Sequence, residues 1–231
     1  MDRPTLDKVL ELARPETVEL HGVPYATDRL TRVVPPAPNV LHVNTLQAIV
    51  DYLSKVKDVD ESELFVHVQD ANSVDLLSRL NGADRWHLLA ASVEPTVSFG
   101  QWLPVENFII SLQAGFIATA DRDAVLRVVG NLRSGEMTTQ ADDGVTQTVT
   151  ARVGIVQVED VTVPNPVLLK PWRTFREIDQ PESRFVLRLR QMPNGGAQAA
   201  LFEADGDMWK TEAIELIKAW LGERVSVPVI G

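Results

Sequence analysis

The chain predicts an α+β fold, with mixed or antiparallel sheets, about five helices and a long bulged β-ribbon in its second half. Three observations carry this. Runs of β-branched residues are bounded by turn-forming Gly, Asn and Pro; apolar stripes at helical spacing sit between and after them; and strands and helices do not alternate regularly, as a parallel sheet requires. Hydrophobic residues make up 45% of the chain and charged residues 23%, a balance that supports a packed core rather than a disordered chain.

The elements follow in order. Asp2 or Thr5 starts a short helix with Leu6, Val9, Leu10 and Ala13 on one face, and Pro15 ends it. TVELHGVPYATDRLTRV reads as a hairpin turning at His21-Gly22, followed by a stiff PPAP linker at 35–38. VLHV is a short strand. Asn44 then caps a helix, with Gln47 in the capping-box position and Leu46, Ile49, Val50, Leu53 and Val56 on its buried face. ELFVHVQD, SVDLLSRL and RWHLLAASV are strand-length segments of a small antiparallel sheet. PVENFIISLQAGFI begins a helix at its proline, with Val105, Phe108, Ile109, Leu112 and Phe116 inward. Asp121 caps the next helix, which buries Val125, Val128, Val129 and Leu132, and SGEMTTQADDG is a polar loop after it.

In DDGVTQTVTARVGIVQVEDVTVPNP the apolar phase shifts at Gly154, predicting a bulge there, and shifts again at Glu159-Asp160. RFVLRLRQMPNGGAQAALFEAD is a hairpin turning at Asn194-Gly195-Gly196. Asp205 or Asp207 opens the last helix, with Trp209, Ala213, Leu216, Ile217 and Trp220 on one stripe, and VSVPVI adds an edge strand. The pattern divides into an N-terminal part, 1–118, and a C-terminal part, 119–231, or forms one composite domain of both.

Chemistry is sparse. With no cysteine there is no disulfide framework, thiolate metal site or thiol nucleophile, and a cytoplasmic address is expected. No stretch approaches the ~20 apolar residues of a spanning helix, so no membrane partner is expected. His21, His42, His67 and His87 lack the short spacing of metal-ligand pairs. Glu203-Ala-Asp205-Gly-Asp207 resembles the start of a calcium loop but lacks the closing glutamate in register. Nucleophile-elbow, phosphate-loop and dinucleotide motifs are absent, so neither cofactor nor catalytic residue is assigned.

The net charge of −10 disfavours long-range attraction to duplex DNA. Within residues 170–190, however, Lys170, Arg173, Arg176, Arg184, Arg188 and Arg190 outnumber Glu177, Asp179 and Glu182. Alternation puts Arg184, Arg188 and Arg190 with Val186 on one strand face and Phe185, Leu187 and Leu189 on the other. Arg173, Arg176, Arg184, Arg188 and Arg190 are therefore candidates for binding phosphate or another anionic ligand, with carboxylates of the acidic first half as the competing partners. Trp172 and Phe175, beside Arg173 and Arg176, supply a minimal stacking pair for single-stranded nucleic acid.

The series ADRDAVLRVVGN, DDGVTQTV, VPNPVLLKPWRTF and ALFEADGDMW, with LHVNTLQAIVDYL and SFGQWLPVENFIISLQ earlier, resembles a family of uncharacterised phage and prophage proteins of Gram-positive hosts. More distantly, the order of parts is similar to the YfdQ-like prophage family. The resemblance implies a protein of the host cytoplasm and transfers no catalytic residue. Residues and resemblance together call for a non-enzymatic accessory binding protein that forms a homo-oligomer. Its partner is a host or phage protein, a sequestered nucleotide, or single-stranded nucleic acid in replication or recombination.

Overall fold

The computed structural model describes residues 3–5, 8, 16–26, 31–32, 36–56, 59–80, 84–132, 136–142, 147–153, 156–163, 165–192 and 196–231, without the side chains of 31–32 and 132–163. In chain order its elements are β1 (Thr17–Leu20), β2 (Val23–Ala26), β3 (Thr31–Arg32), β4 (Leu41–Val43), α1 (Gln47–Lys55), β5 (Leu64–Asp70), β6 (Ser73–Ser78) and β7 (His87–Ser92). The second half of the order is β8 (Leu103–Pro104), α2 (Val105–Gly115), α3 (Ala120–Leu132), β9 (Glu136–Asp142), β10 (Gln147–Val153), β11 (Val156–Val163), β12 (Val167–Leu169), β13 (Ser183–Gln191), β14 (Ala197–Glu203), α4 (Met208–Gly222) and β15 (Val229–Ile230). The fold is α+β. No helix among the described residues is long and apolar enough to cross a membrane. Residues 3–5 and 8 are helical, and the remainder of the expected N-terminal helix lies outside the described residues.

The first core lies under a five-stranded sheet of order β15-β5-β6-β7-β4. β5, β6 and β7 pair antiparallel as their sequences predict, while β4 and β15 add parallel edges. Leu64, Val66, Val74, Leu76 and Leu89 face Ile49 and Leu53 of α1 and Ile217 and Leu221 of α4. Each such fully buried side chain contributes about 1.5–3 kcal/mol by leaving water.

The second core lies between α2, α3 and one face of a four-stranded sheet of order β12-β13-β14-β8. Phe108 and Leu112 of α2 and Val125 and Val129 of α3 meet Leu169, Phe185, Leu187 and Leu201 from the strands. The Asn165 side chain extends β12's pairing: its Oδ1 accepts from Leu187 N at 2.8 Å and its Nδ2 donates to Leu187 O at 3.2 Å. The division at 118/119 is crossed in both directions. β8 and α2 join the second core, whereas α4 and β15 close the first.

Two smaller antiparallel sheets complete the fold. β1-β2-β3 turns at His21 and Gly22, both with positive φ (55° and 77°), the geometry a two-residue hairpin requires. β9-β10-β11 replaces the single ribbon read from sequence. Val153 pairs with Val156 across two antiparallel strands, while the bulge expected at Gly154 lies outside the described residues; Glu136–Asp142 of the expected polar loop form β9. The second phase shift is a bulge: Thr150 opposes Asp160 while Ala151 opposes Val158, leaving Glu159 as the extra residue.

The helix starts also differ from the sequence reading. Leu46 is the N-cap of α1, and Asn44 lies before it. The first amides are held by Thr45 Oγ1, which accepts from Ala48 N at 3.3 Å, and by Glu177 Oε1, which accepts from Gln47 N at 3.2 Å. At α3, Thr119 Oγ1 accepts from Arg122 N at 3.1 Å, and Asp121 instead accepts from Leu168 N of β12 at 2.8 Å.

Candidate functional site

The outer face of the four-stranded sheet carries the arginine row. Burial alternates along β13, with Phe185, Leu187 and Leu189 inside and Arg184, Val186, Arg188 and Arg190 outside, as the alternation predicts. Arg184 and Arg190 are exposed and Arg188 is half-buried. Register places Arg188 opposite Ala200 and Arg190 opposite Gln198, while Ala199 pairs with Leu103 on the far side of β14. Trp102 therefore stands next to Ala200, whose methyl group leaves room for the indole. The Arg190 guanidinium lies 4.2 Å from the centre of the Trp102 ring and donates from Nε to Gln198 Oε1 at 2.9 Å. Phe202 meets Trp102 edge-on at 6.2 Å. Among the described residues, neither Arg184 nor Arg190 forms an ion pair, and the outward positions of these four strands hold no carboxylate.

Arg173 and Phe175 have a different place from the one read in the sequence. Segment 170–177 forms a strap that runs from the end of α2 across the carboxyl edge of the five-stranded sheet. Trp172 N donates to Gly115 O, Asn72 Nδ2 to Arg173 O at 2.5 Å, and Thr174 Oγ1 to Ala71 O. The Phe175 ring is 0% exposed in the first core and offers no stacking surface. The Arg173 side chain is 1% exposed; Nη1 donates to Glu203 Oε1 at 2.9 Å, Nη2 to Ser183 Oγ, and Asp205 lies 3.9 Å away. Burial pushes the Arg173 guanidinium down to about 10, against the opposing pull of Asp205 and Glu203. Such an enclosed cation cannot reach a phosphate in solvent.

Arg176 and Trp172 do converge. The guanidinium lies 5.0 Å from the centre of the indole, on a cleft between the strap and the ends of β4 and β7. The histidines do not converge on a metal: no metal-holding group of His, Asp or Glu occurs among the described residues. His87 Nε2 instead lies 2.9 Å from buried Asp75.

No family model, curated protein or solved structure matches the chain. The assignment of a site rests on geometry alone. Of the sequence candidates, Arg184, Arg188 and Arg190 share one face, Trp172 and Arg176 share a cleft, and Arg173 and Phe175 are interior. Sequence reasoning missed Trp102 and Phe202. Trp102 lies just before β8 and Phe202 within β14, and only the non-local β14-β8 pairing brings the two rings together.

Proposed function

We propose that this chain is a non-catalytic binding module that holds single-stranded nucleic acid on the outer face of the four-stranded sheet. The observation that carries the reading is the stack of Arg190 on Trp102, with Phe202 edge-on to the same indole and the arginine row continuing along β13. Aromatic faces accept any unpaired base, while the arginines track the backbone. From Arg184 to Arg190 the row runs about 20 Å at the usual strand rise. The negative charge of the whole chain disfavours duplex DNA, so affinity comes from this local patch and from stacking rather than from the general field.

In the setting that the phage resemblance implies, such a module would act as an accessory in phage DNA metabolism. The open edges of β4 and β15 would let copies associate. Fluorescence anisotropy with a labelled oligothymidylate tests the reading. Binding should weaken with salt with a log-log slope of about −1.4, as phosphate contacts from Arg184 and Arg190 on a single strand require. Trp102→Ala and Arg190→Glu should each weaken it, and wild-type affinity in both variants would overturn the reading.

A further inference from the structure

The cleft beside the strap has a physical origin in the chain path. β4 and β7 are parallel neighbours, yet their exits diverge: β4 leads into α1 over the first core, and β7 leads towards β8 in the second. Divergent exits at the carboxyl ends of parallel strands open a crevice, which is where α/β sheets hold ligands. This one measures about 500 Å³, within the range of small-molecule sites. Thr45, Ser92, Glu94, Trp172, Arg176 and Glu177 line it.

Two of those residues carry opposite charge and do not pair. Arg176 and Glu94 are both exposed in the cleft, and neither forms an ion pair or side-chain hydrogen bond among the described residues. Each keeps its bonding capacity for a third body. Glu177 differs, because its carboxylate already holds the Gln47 amide. The guanidinium stacked near the indole offers a flat surface to a ring and a fork of N–H donors to an anion. The free carboxylate is an acceptor only, suited to the hydroxyls of a sugar as acidic residues in nucleotide sites are.

From this we infer that the cleft binds a ribonucleoside monophosphate: base against the Trp172–Arg176 stack, phosphate on Arg176, and ribose hydroxyls on Glu94. Among the described residues, Arg176 is the one cation of the lining and can grip one phosphate, while Glu94 and Glu177 repel every further phosphate charge, so di- and triphosphates are disfavoured relative to a monophosphate. The site is separate from the sheet face and does not depend on the nucleic-acid reading.

Isothermal calorimetry of the full chain with adenosine, guanosine, cytidine and uridine 5′-monophosphates, with ATP, and with 2′-deoxyadenosine 5′-monophosphate tests it. At least one monophosphate should bind, and AMP should bind more tightly than ATP. Arg176→Ala should lower the monophosphate affinity about tenfold, the worth of one charge-assisted contact. Glu94→Gln should erase the preference for ribose over deoxyribose, and Lys55→Ala, at the far end of α1 and outside both sites, should leave monophosphate binding unchanged. The inference is overturned if no monophosphate binds, if ATP binds as tightly as AMP, if Arg176→Ala binds like wild type, or if Lys55→Ala loses as much affinity as Arg176→Ala.

Discussion

The Arg173 guanidinium lies 4.0 Å from the centre of the Trp209 indole, so a strap residue is stacked on the first turn of α4. Glu203 at the end of β14 grips the same cation at 2.9 Å. One side chain thus ties the sheet of the second core to the helix that closes the first. Arg173→Met should cost about 3 kcal/mol, because it leaves Glu203 and Asp205 without their buried partner. The double variant Arg173→Met/Glu203→Gln should recover part of that loss. Urea midpoints of the three proteins check this, and an Arg173→Met variant as stable as wild type would remove the cation from this role.

The same cluster gives a pH dependence. Burial raises the Glu203 carboxyl above its ordinary value, with Arg173 only partly offsetting the shift. The folded chain therefore binds this proton more tightly than the unfolded chain. The resulting stability is fully present below the ordinary carboxylate value and is lost as pH rises through the raised one. Stability of wild type relative to Glu203→Gln should fall as pH rises from the ordinary carboxylate value, about pH 4, through the raised one. Denaturant titrations across that interval read the difference, and a flat or rising curve would contradict the assignment.

Gln180 is 2% exposed and holds the strap from inside. Its Oε1 accepts from Arg173 N at 3.1 Å and Thr174 N at 3.2 Å, and its Nε2 donates to Phe175 O at 2.9 Å and Ile178 O at 3.3 Å. Gln180→Leu keeps the volume but strands those groups, and should cost about 2–4 kcal/mol. Gln180→Glu keeps the acceptors and turns the donor against two carbonyls, so it should also be destabilising. Thermal unfolding of both variants is the check; tolerance of the leucine would show that the amide is dispensable.

A Cβ at Gly115 would stand 2.3 Å from Val97 Cγ2, a contact that forces one group to move. Gly115→Ala should destabilise the chain by about 1–3 kcal/mol through overpacking, since a β-branched valine has little rotamer freedom. Val97→Ala should cost less in the Gly115→Ala background than alone. A double-mutant cycle measures that coupling, and additive losses would mean the two sites do not meet.

The arginine row was legible because strand alternation is local: Phe185, Leu187 and Leu189 dictate where Arg184, Arg188 and Arg190 point. The burial of Arg173 was not. Nothing within KPWRTFR distinguishes Arg173 from Arg176, and their fates are decided by Ala71, Gln180 and Glu203, which are distant in sequence or on other elements. The start of α1 failed for the same reason, since part of its cap comes from Glu177. The pairing of β10 with β11 was hidden because two antiparallel strands show the same alternation as one long strand, and the polar composition of β9 hid a strand that pairs with β10.

The placement of α4 and β15 has a consequence for synthesis. Ile217, Leu221 and Val227 belong to the core that β5, β6 and β7 begin, and β15 pairs with β5. That sheet therefore cannot finish while the ribosome is still translating the second half. Its apolar face must wait, half-built, until the last helix emerges, and during that interval it is the natural target for a holding chaperone.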